Sequence, residues 1–120
     1  MFTITKRMEI AGSHRLKLPY DSPCSNLHGH NWIIEIEISA SELNDDGMVI
    51  DFSFIKKVVK EKLDHKDINM VLGNINPTAE NIATWIVNKL TPEILRENIL
   101  AFVSKVTVQE SEGNTACYIQ

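Results

Sequence analysis

The sequence predicts an α+β domain in which a four-stranded antiparallel sheet carries two helices on one face. Segments of alternating apolar and polar residues lie near both ends of the chain, which is the pattern of half-buried strands. Between them lie two segments whose apolar residues recur at helical spacing. This order favours an antiparallel sheet with both helices layered on the same face. At 120 residues the chain is expected to form a single domain over 1–120.

The first two strands are predicted over residues 2–16 and 28–39. Their apolar faces are formed by Phe2, Ile4, Met8 and Ile10 in the first strand and by Ile34, Ile36 and Ile38 in the second. Two prolines and several small polar residues make a loop between the strands, over 17–26. A turn is predicted over 44–47, where two aspartates are followed by glycine.

The two helices are predicted to start at capping residues and to pack through apolar stripes. Asp51 caps the first helix, which ends near Leu63, and Thr78 caps the second, which Pro92 ends. The stripes consist of Phe52, Ile55, Val59 and Leu63, and of Ile82, Trp85, Ile86 and Leu90. Stripes of this kind are typical of core contacts. The segment 64–77 is expected to be a connection.

The last part of the chain is predicted to form a hairpin. Residues 102–110 and 115–119 alternate, and the turn lies over 112–114 around Gly113. Cys117 is expected to be a small core residue of the final strand. Because an open four-stranded sheet leaves two edges and one uncovered face, the chain is expected to form an oligomer.

The composition narrows the functional class. An apolar fraction of 43% and a charged fraction of 23% are those of an ordinary soluble globular protein. The net charge of -4 argues against a nucleic-acid partner, and no apolar run approaches the length of a membrane span. Two cysteines make no disulfide framework, and the N-terminal residues lack a secretory signal pattern. A cytoplasmic location is therefore expected.

Three of the four histidines are predicted to converge on one face of the sheet. His28 and His30 are two residues apart on the second strand, so their side chains project from the same side. His14 shares parity with the apolar residues of the first strand and joins them if the two strands pair. Three imidazoles with no obvious fourth protein ligand are typical of a catalytic zinc site, although cobalt, iron or nickel fit the same donors.

A cysteine lies close to these histidines in the sequence. Cys24 precedes His28 by four positions, and a nearby metal or imidazolium lowers the pKa of a thiol and makes the thiolate available for proton abstraction. Two alternatives remain open on the spacing alone. Cys24 is either a fourth metal ligand or an incidental loop residue.

Two further polar positions are candidates. Asp64 and His65 end the first helix, and a carboxylate that orients an imidazole is a usual proton shuttle. Adjacent residues of a helix seldom face each other, so the spacing alone favours a polar helix end. Glu110 shares parity with Phe102, Val106 and Val108, which puts a carboxylate at the end of an apolar row. There it either binds the adjacent N–H groups of a heterocycle or faces solvent.

These motifs together resemble the superfamily of 6-pyruvoyltetrahydropterin and 6-carboxytetrahydropterin synthases. The matching segments, in the family's order, are His14-Arg-Leu, Cys24-Ser-Asn-Leu-His28-Gly-His30, Met48-Val-Ile-Asp-Phe, Leu63-Asp-His65, Pro77-Thr-Ala-Glu-Asn and Gln109-Glu110. The short spacing between Cys24 and His28 is similar to that of the bacterial 6-carboxytetrahydropterin synthases of queuosine biosynthesis.

The resemblance implies a tunnelling fold (T-fold), in which sheets from several subunits close into a barrel and trimers stack into hexamers. It also implies active sites at subunit interfaces, so that Asp64 and His65 serve the zinc site of a neighbouring subunit. Closure into a barrel would remove the open edges noted above.

The resemblance further implies that the substrate is 7,8-dihydroneopterin triphosphate. It is converted to 6-carboxy-5,6,7,8-tetrahydropterin with release of acetaldehyde and triphosphate. The resemblance also implies a role for individual residues. Zn²⁺ is bound by His14, His28 and His30, and Cys24 is the base, with Asp64 and His65 as a second acid/base pair. Glu110 binds the pterin, helped by the backbone around Thr78 and Ala79. Relatives often carry a basic residue just before the cysteine, where this chain has Pro23, so Arg15 and Lys17 are the candidates for binding the triphosphate.

Two other functions fit the same residues. A 6-pyruvoyltetrahydropterin synthase would eliminate triphosphate and keep all the side-chain carbons. A non-catalytic zinc-binding assembly protein would use Cys24 to complete a closed four-ligand site.

Overall fold

A computed structural model describes residues 1–120 and shows five strands forming one sheet, together with three helices. The elements are β1 (Phe2–His14), β2 (His28–Ala40), α1 (Phe52–Leu63), β3 (Lys66–Asp67), α2 (Ile68–Leu72), α3 (Ala79–Glu97), β4 (Ala101–Ser111) and β5 (Asn114–Ile119). A single 3₁₀ turn covers Pro23–Ser25. The strands are ordered β3-β1-β2-β4-β5.

The long hairpin of β1 and β2 is the centre of the sheet. Its antiparallel register runs without a bulge from Phe2 opposite Ala40 to His14 opposite His28. Even-numbered residues of both strands therefore share one face of the sheet along the whole hairpin. The fully buried residues include Ile10, Trp32 and Ile36, and α1 and α3 cover them with their own apolar stripes.

The expectation of four antiparallel strands and two helices is corrected by the segment after α1. Lys66 and Asp67 pair in parallel with Gly12 and Ser13, which makes a fifth strand and a mixed sheet. The five residues of α2 follow directly. Two-residue strands and five-residue helices are too short to produce a periodic pattern in the sequence.

The prediction that Pro92 ends the second helix is wrong. Helix α3 continues to Glu97 with Pro92 inside it. Proline removes the N–H that would bond to the carbonyl of Asn88, but Asn88 lies on the exposed side of the helix. Water can therefore satisfy the carbonyl oxygen, and the buried stripe continues through Ile94 beyond the proline.

A β-bulge in β4 changes which residues of that strand face the core. Ile38 pairs with Val103 and Glu37 with Lys105, so Ser104 is the extra residue. Val106 and Val108 face the helices, but Phe102 is exposed, contrary to the parity argument. The bulge shifts the alternation by one position, since two residues of one strand oppose one of the other.

The prediction that Cys117 is a core residue is also wrong. Cys117 lies on the uncovered face of β5 and is exposed, and its thiol lies 3.3 Å from the hydroxyl of Thr107. Its neighbours Ala116 and Tyr118 point to the core instead. None of the helices is both long enough and apolar enough to cross a bilayer.

Candidate metal centre

Three histidines and one glutamate form a cluster at the end of the β1–β2 hairpin. His14 pairs with His28, and His30 lies one step inward on the same face. The ring centroids are 4.6 Å apart for His14 and His28, 4.8 Å for His28 and His30, and 5.2 Å for His14 and His30. Glu110 of β4 completes the group, and the potential ligand atoms of all four residues lie within 4.8 Å of one another.

Hydrogen bonds fix the tautomers of two of the imidazoles. Nδ1 of His14 lies 2.8 Å from the carbonyl oxygen of Pro77, and Nδ1 of His28 lies 2.7 Å from that of Asn26. Because a carbonyl only accepts, each Nδ1 is the donor and each Nε2 carries a lone pair. Backbone partners of this kind orient histidine ligands in metal sites.

Two ring nitrogens of the histidines have no hydrogen-bond partner inside the cluster. Nε2 of His14 and Nε2 of His30 are buried without one. Nε2 of His30 does lie 3.2 Å from Oε1 of Glu110, but the direction of approach does not make a hydrogen bond. Because unpaired buried polar atoms are costly, convergent imidazole nitrogens and a carboxylate fit a divalent cation.

Burial keeps His14 in the neutral form that a metal requires. The side chain is fully buried, and this desolvation is the main cause that lowers the pKa of His14 below its ordinary value of 6.5. The hydrogen bond to Pro77 opposes the shift, whereas the neighbouring His28 adds to it. His14 is therefore neutral at physiological pH.

Trp32 packs against the cluster from the core side. Its ring makes edge contacts with His14 and His30 at centroid distances of 4.8 and 5.3 Å, and its Nε1 donates a 3.1 Å hydrogen bond to the carbonyl of Gly12. Its side chain is completely buried. The indole thus holds two imidazoles and the backbone of β1 in one arrangement.

Cys24 lies outside the group of potential metal ligands. It sits in the 3₁₀ turn Pro23–Ser25, where the hydroxyl of Ser22 accepts a 3.1 Å hydrogen bond from its N–H. Its carbonyl accepts a 2.8 Å hydrogen bond from Leu16, and its thiol is free and half-buried. The fourth donor beside the histidines is Glu110, which the spacing argument had not counted as a ligand.

Asp64 and His65 are held at the opposite edge of β1. Oδ1 of Asp64 accepts a 2.9 Å hydrogen bond from the N–H of Ala11, whose carbonyl accepts from the N–H of His65 at 2.7 Å. His65 has a φ of +58°, a left-handed conformation that residues other than glycine seldom adopt. Its Nε2 lies 3.8 Å from Oδ2 of Asp64, and its side chain is 81% exposed. Neither residue joins the metal-ligand group of its own chain.

The remaining candidate residues lie near the carbonyl that holds His14. Thr78 caps α3 by accepting a 3.1 Å hydrogen bond from the N–H of Asn81, and Ala79 is buried in the first turn. Arg15 is exposed directly after His14. Sequence reasoning missed the carbonyls of Asn26 and Pro77, because a backbone acceptor has no residue-type signal.

Comparison with known proteins identifies the family. The profile of the family described as 6-pyruvoyl tetrahydropterin synthase matches residues 3–120. A 6-carboxy-5,6,7,8-tetrahydropterin synthase of Rickettsia felis is 33% identical, with the alignment covering 100% of this chain and 99% of the relative. A 6-pyruvoyl tetrahydrobiopterin synthase of Dictyostelium discoideum is also 33% identical, covering 96% and 93%.

A solved structure supports the same fold. The 6-pyruvoyl tetrahydropterin synthase of Caenorhabditis elegans superposes with a TM-score of 0.77 at 23% identity, covering 99% of this chain and 95% of that one. The α+β arrangement of a single sheet with helices is thereby confirmed. The chain belongs to the 6-pyruvoyl tetrahydropterin synthase family, and the expectation of an enzyme of this family is confirmed.

Proposed function

We propose that this chain, as one domain over 1–120, converts 7,8-dihydroneopterin triphosphate to 6-carboxy-5,6,7,8-tetrahydropterin with release of acetaldehyde and triphosphate. This is the reaction of queuosine biosynthesis that the sequence motifs imply. The single observation that carries the proposal is the cluster of three histidines and Glu110, with two buried imidazole nitrogens lacking a partner. The Rickettsia relative, named for the same product, supports it.

Zn²⁺ is the metal that we assign to the cluster. His14, His28 and His30 would hold it through Nε2, since Nδ1 is engaged with a carbonyl in two of them. Such an ion, when bound, acts as a Lewis acid that lowers the pKa of a hydroxyl on the substrate side chain.

Proton transfer is assigned to three side chains. The thiolate of Cys24 is assigned the removal of a proton from the side chain of the substrate. Support comes from the position of its loop, which is hydrogen-bonded to Leu16, two residues after His14. The second acid/base pair is Asp64 with His65. We assign this pair to the site of a neighbouring subunit, since within its own chain it is absent from the metal-ligand group.

Recognition of the substrate is assigned to residues around the cluster. Glu110 accepts hydrogen bonds from the amino and N–H edge of the pterin, helped by the backbone around Thr78 and Ala79. Arg15 binds the triphosphate together with Lys17. Support for the role of Glu110 comes from its position, since β4 points its carboxylate toward the imidazoles at the end of a buried row.

The assembly that we assign is a trimer or hexamer built on a closed barrel. The face of the sheet opposite the helices is polar and carries Arg7, Glu35 and Lys105, and the edges of β3 and β5 are unpaired within the chain. Closing several sheets into a barrel would pair such edges and cover such a face. It would also bring Asp64 of one subunit to the metal centre of the next.

A 6-pyruvoyltetrahydropterin synthase is the second candidate function. The Dictyostelium relative, named for a pyruvoyl product, is as similar to this chain as the Rickettsia relative is, at 33% identity. The two reactions differ in the fate of the side-chain carbons. Product analysis therefore distinguishes them where sequence identity does not.

The experiment is incubation of purified, metal-analysed protein with 7,8-dihydroneopterin triphosphate and identification of the products by mass. Acetaldehyde with a carboxypterin is the expected result, whereas a pyruvoyl pterin establishes the second candidate. Cys24→Ala should reduce turnover by about 10²- to 10⁴-fold, the usual contribution of a general base, with metal content unchanged. Cys117→Ala is the matched control, since it removes the other free thiol of the chain at a residue outside the histidine cluster and should keep full turnover. Turnover by Cys24→Ala equal to that of the parent refutes the role of Cys24 as base.

A further inference from the structure

Glu110 occupies a position that conflicts with the recognition role proposed for it. Its Oε1 lies 3.2 Å from Nε2 of His30, inside the group of potential metal ligands. A pterin carries its amino and N–H edge at one end of a two-ring system and its side chain at the other end. When that side chain lies at the metal, the residue that binds the edge must lie a full ring system away. One position of the carboxylate therefore cannot serve both contacts.

The present position of the carboxylate suits a metal ligand. Donor atoms that lie about 2.0–2.1 Å from a tetrahedral zinc ion are roughly 3.3–3.4 Å from one another. The 3.2 Å between Oε1 of Glu110 and Nε2 of His30 is close to that separation, and no hydrogen bond accounts for it. The ligand atoms of His14 and His28 lie within 4.8 Å of the same two atoms. Oε1 thus lies where a fourth ligand would complete the three imidazoles.

Charge also favours an anion at this place. A divalent ion on three neutral imidazoles keeps its full double charge, and His14 beside it is completely buried. Because an uncompensated charge is costly where burial limits contact with water, an anionic fourth ligand lowers that cost. Glu110 is the only acidic residue of the group, since neither Cys24 nor Asp64 belongs to it.

The strand around Glu110 leaves its side chain free to turn. The pairing of β4 with β2 ends at Gln109 opposite Ile33, and the register with β5 is interrupted between Gln109 and Ser111. Glu110 therefore has no cross-strand partner on either side. Its side chain is 25% exposed, so it is not enclosed by the core. A residue at such an irregularity can redirect its side chain without disturbing a paired neighbour.

We propose that Glu110 is the fourth metal ligand of the pterin-free protein and that it leaves the metal when a pterin ring binds. The inference deepens the proposed function and rests on it for the identity of the ring. Without a pterin, the carboxylate fills the open coordination position. With a pterin, it turns to the amino and N–H edge, and the position becomes free for the side chain of the substrate. Glu110 thereby couples recognition of the ring to access to the metal.

The first test is the metal affinity of the full chain without pterin. Metal is removed with a chelator, and Zn²⁺ binding is measured by competition with a chromophoric chelator at physiological ionic strength. Glu110→Gln keeps the shape of the side chain but removes its charge, and it should weaken zinc binding by about tenfold to a hundredfold. Glu112→Gln removes the same charge from an exposed residue nearby and should change the affinity by less than about threefold. Equal zinc affinities of the parent and Glu110→Gln overturn the proposal.

Substitution by Co²⁺ identifies the fourth ligand. The same donors bind Co²⁺, and its visible absorption bands depend on the number and type of its ligands. The bands should change in Glu110→Gln and stay the same in Cys24→Ala. The opposite result makes the thiol the fourth ligand and refutes the assignment to Glu110. Thermal melting of the metal-free variants shows that they are folded, and Glu110→Asp, which withdraws the carboxylate by one methylene, replaces Glu110→Gln if that variant does not fold.

The exchange is tested by the linkage between metal and pterin. 6-Methylpterin carries the amino and N–H edge but has no side-chain hydroxyl to take the place of Glu110 at the metal. In calorimetric titration it should bind the metal-free parent roughly fivefold to tenfold more tightly than the zinc-loaded parent, and it should weaken zinc binding by the same factor. Equal binding to the two forms, tighter binding to the zinc-loaded form, or no binding to the metal-free form overturns the exchange.

Metal binding and turnover separate this inference from the proposed function. If Glu110→Gln loses zinc affinity but the parent does not convert dihydroneopterin triphosphate, the ligand assignment stands and the proposed reaction fails. If the parent converts the substrate but Glu110→Gln binds Zn²⁺ as the parent does, the ligand assignment is wrong and the proposed reaction stands.

Discussion

Replacing Asp64 by asparagine or by alanine separates two roles of one carboxylate, because its two oxygens have different neighbours. Oδ1 accepts a 2.9 Å hydrogen bond from the N–H of Ala11 and so fastens the end of α1 to β1. Oδ2 lies 3.8 Å from Nε2 of His65, the partner in the proposed acid/base pair. Asparagine keeps an oxygen for the first contact but loses the acid, whereas alanine loses both.

The hydrogen bond gives the size of the stability effect. A hydrogen bond to a charged group contributes about 1.5–3 kcal/mol, and the lower end applies because Ala11 is half-buried and water can replace the lost acceptor. Asp64→Ala should therefore lose about 1.5 kcal/mol of unfolding free energy, or roughly 6 °C in Tm for a chain of this size. A neutral bond is about half as strong, so Asp64→Asn should lose less than about 1 kcal/mol.

Turnover should separate from stability in these variants. Both should lose about 10²- to 10⁴-fold in kcat with dihydroneopterin triphosphate, since neither carries an acid at this position. The measurements are urea unfolding of each variant and product formation followed by mass. Parental turnover in Asp64→Asn would refute the acid/base role, and equal stability of the two variants would refute the account of the bond to Ala11.

Three further predictions follow from single side chains. His28→Ala should weaken metal binding by at least about a hundredfold in a competition titration, whereas His65→Ala should bind metal as the parent does. Burial lowers the pKa of His14, so near and below pH 6.5 the unfolded chain binds more protons than the folded chain does. The unfolding free energy of the metal-free protein should therefore fall as the pH drops through 6.5. His14→Asn should flatten that dependence on pH. The buried side chain of Asn98 donates to the carbonyls of Glu42 and Val49 and accepts from the N–H of Leu100. Asn98→Ala should therefore lower the unfolding free energy by about 2–3 kcal/mol, measured by urea unfolding. A loss below about 0.5 kcal/mol would contradict this.

The convergence of the histidines could be predicted because it depends on one regular period. Side chains alternate strictly in a strand, and the hairpin of β1 and β2 carries that alternation through thirteen pairs without a bulge. Parity alone therefore placed His14, His28 and His30 on one face. The caps at Asp51 and Thr78 could be predicted because they too depend on local sequence. The side-chain oxygen of each accepts from an N–H two or three residues further along its own helix.

The features that the sequence did not reveal depend on contacts between distant segments. The carbonyl of Pro77 that orients His14, and the amides of Asn69 and Asn76 that hold the next residues, come from a connection with no periodicity. Helix α2, which carries Asn69, is only five residues long. Asparagine in such a segment predicts a turn, and nothing in its residue type indicates which backbone it will bond.

The extra residue in β4 reverses the alternation of side chains partway along the strand. Ala101 and Val103 fill the core on one side of Ser104, while Val106, Val108 and Glu110 follow the opposite parity on the other. Regular alternation from Ala101 onward would instead put Glu110 on the same uncovered face as Phe102. The bulge at Ser104 is therefore what turns the carboxylate toward the histidines of the metal centre.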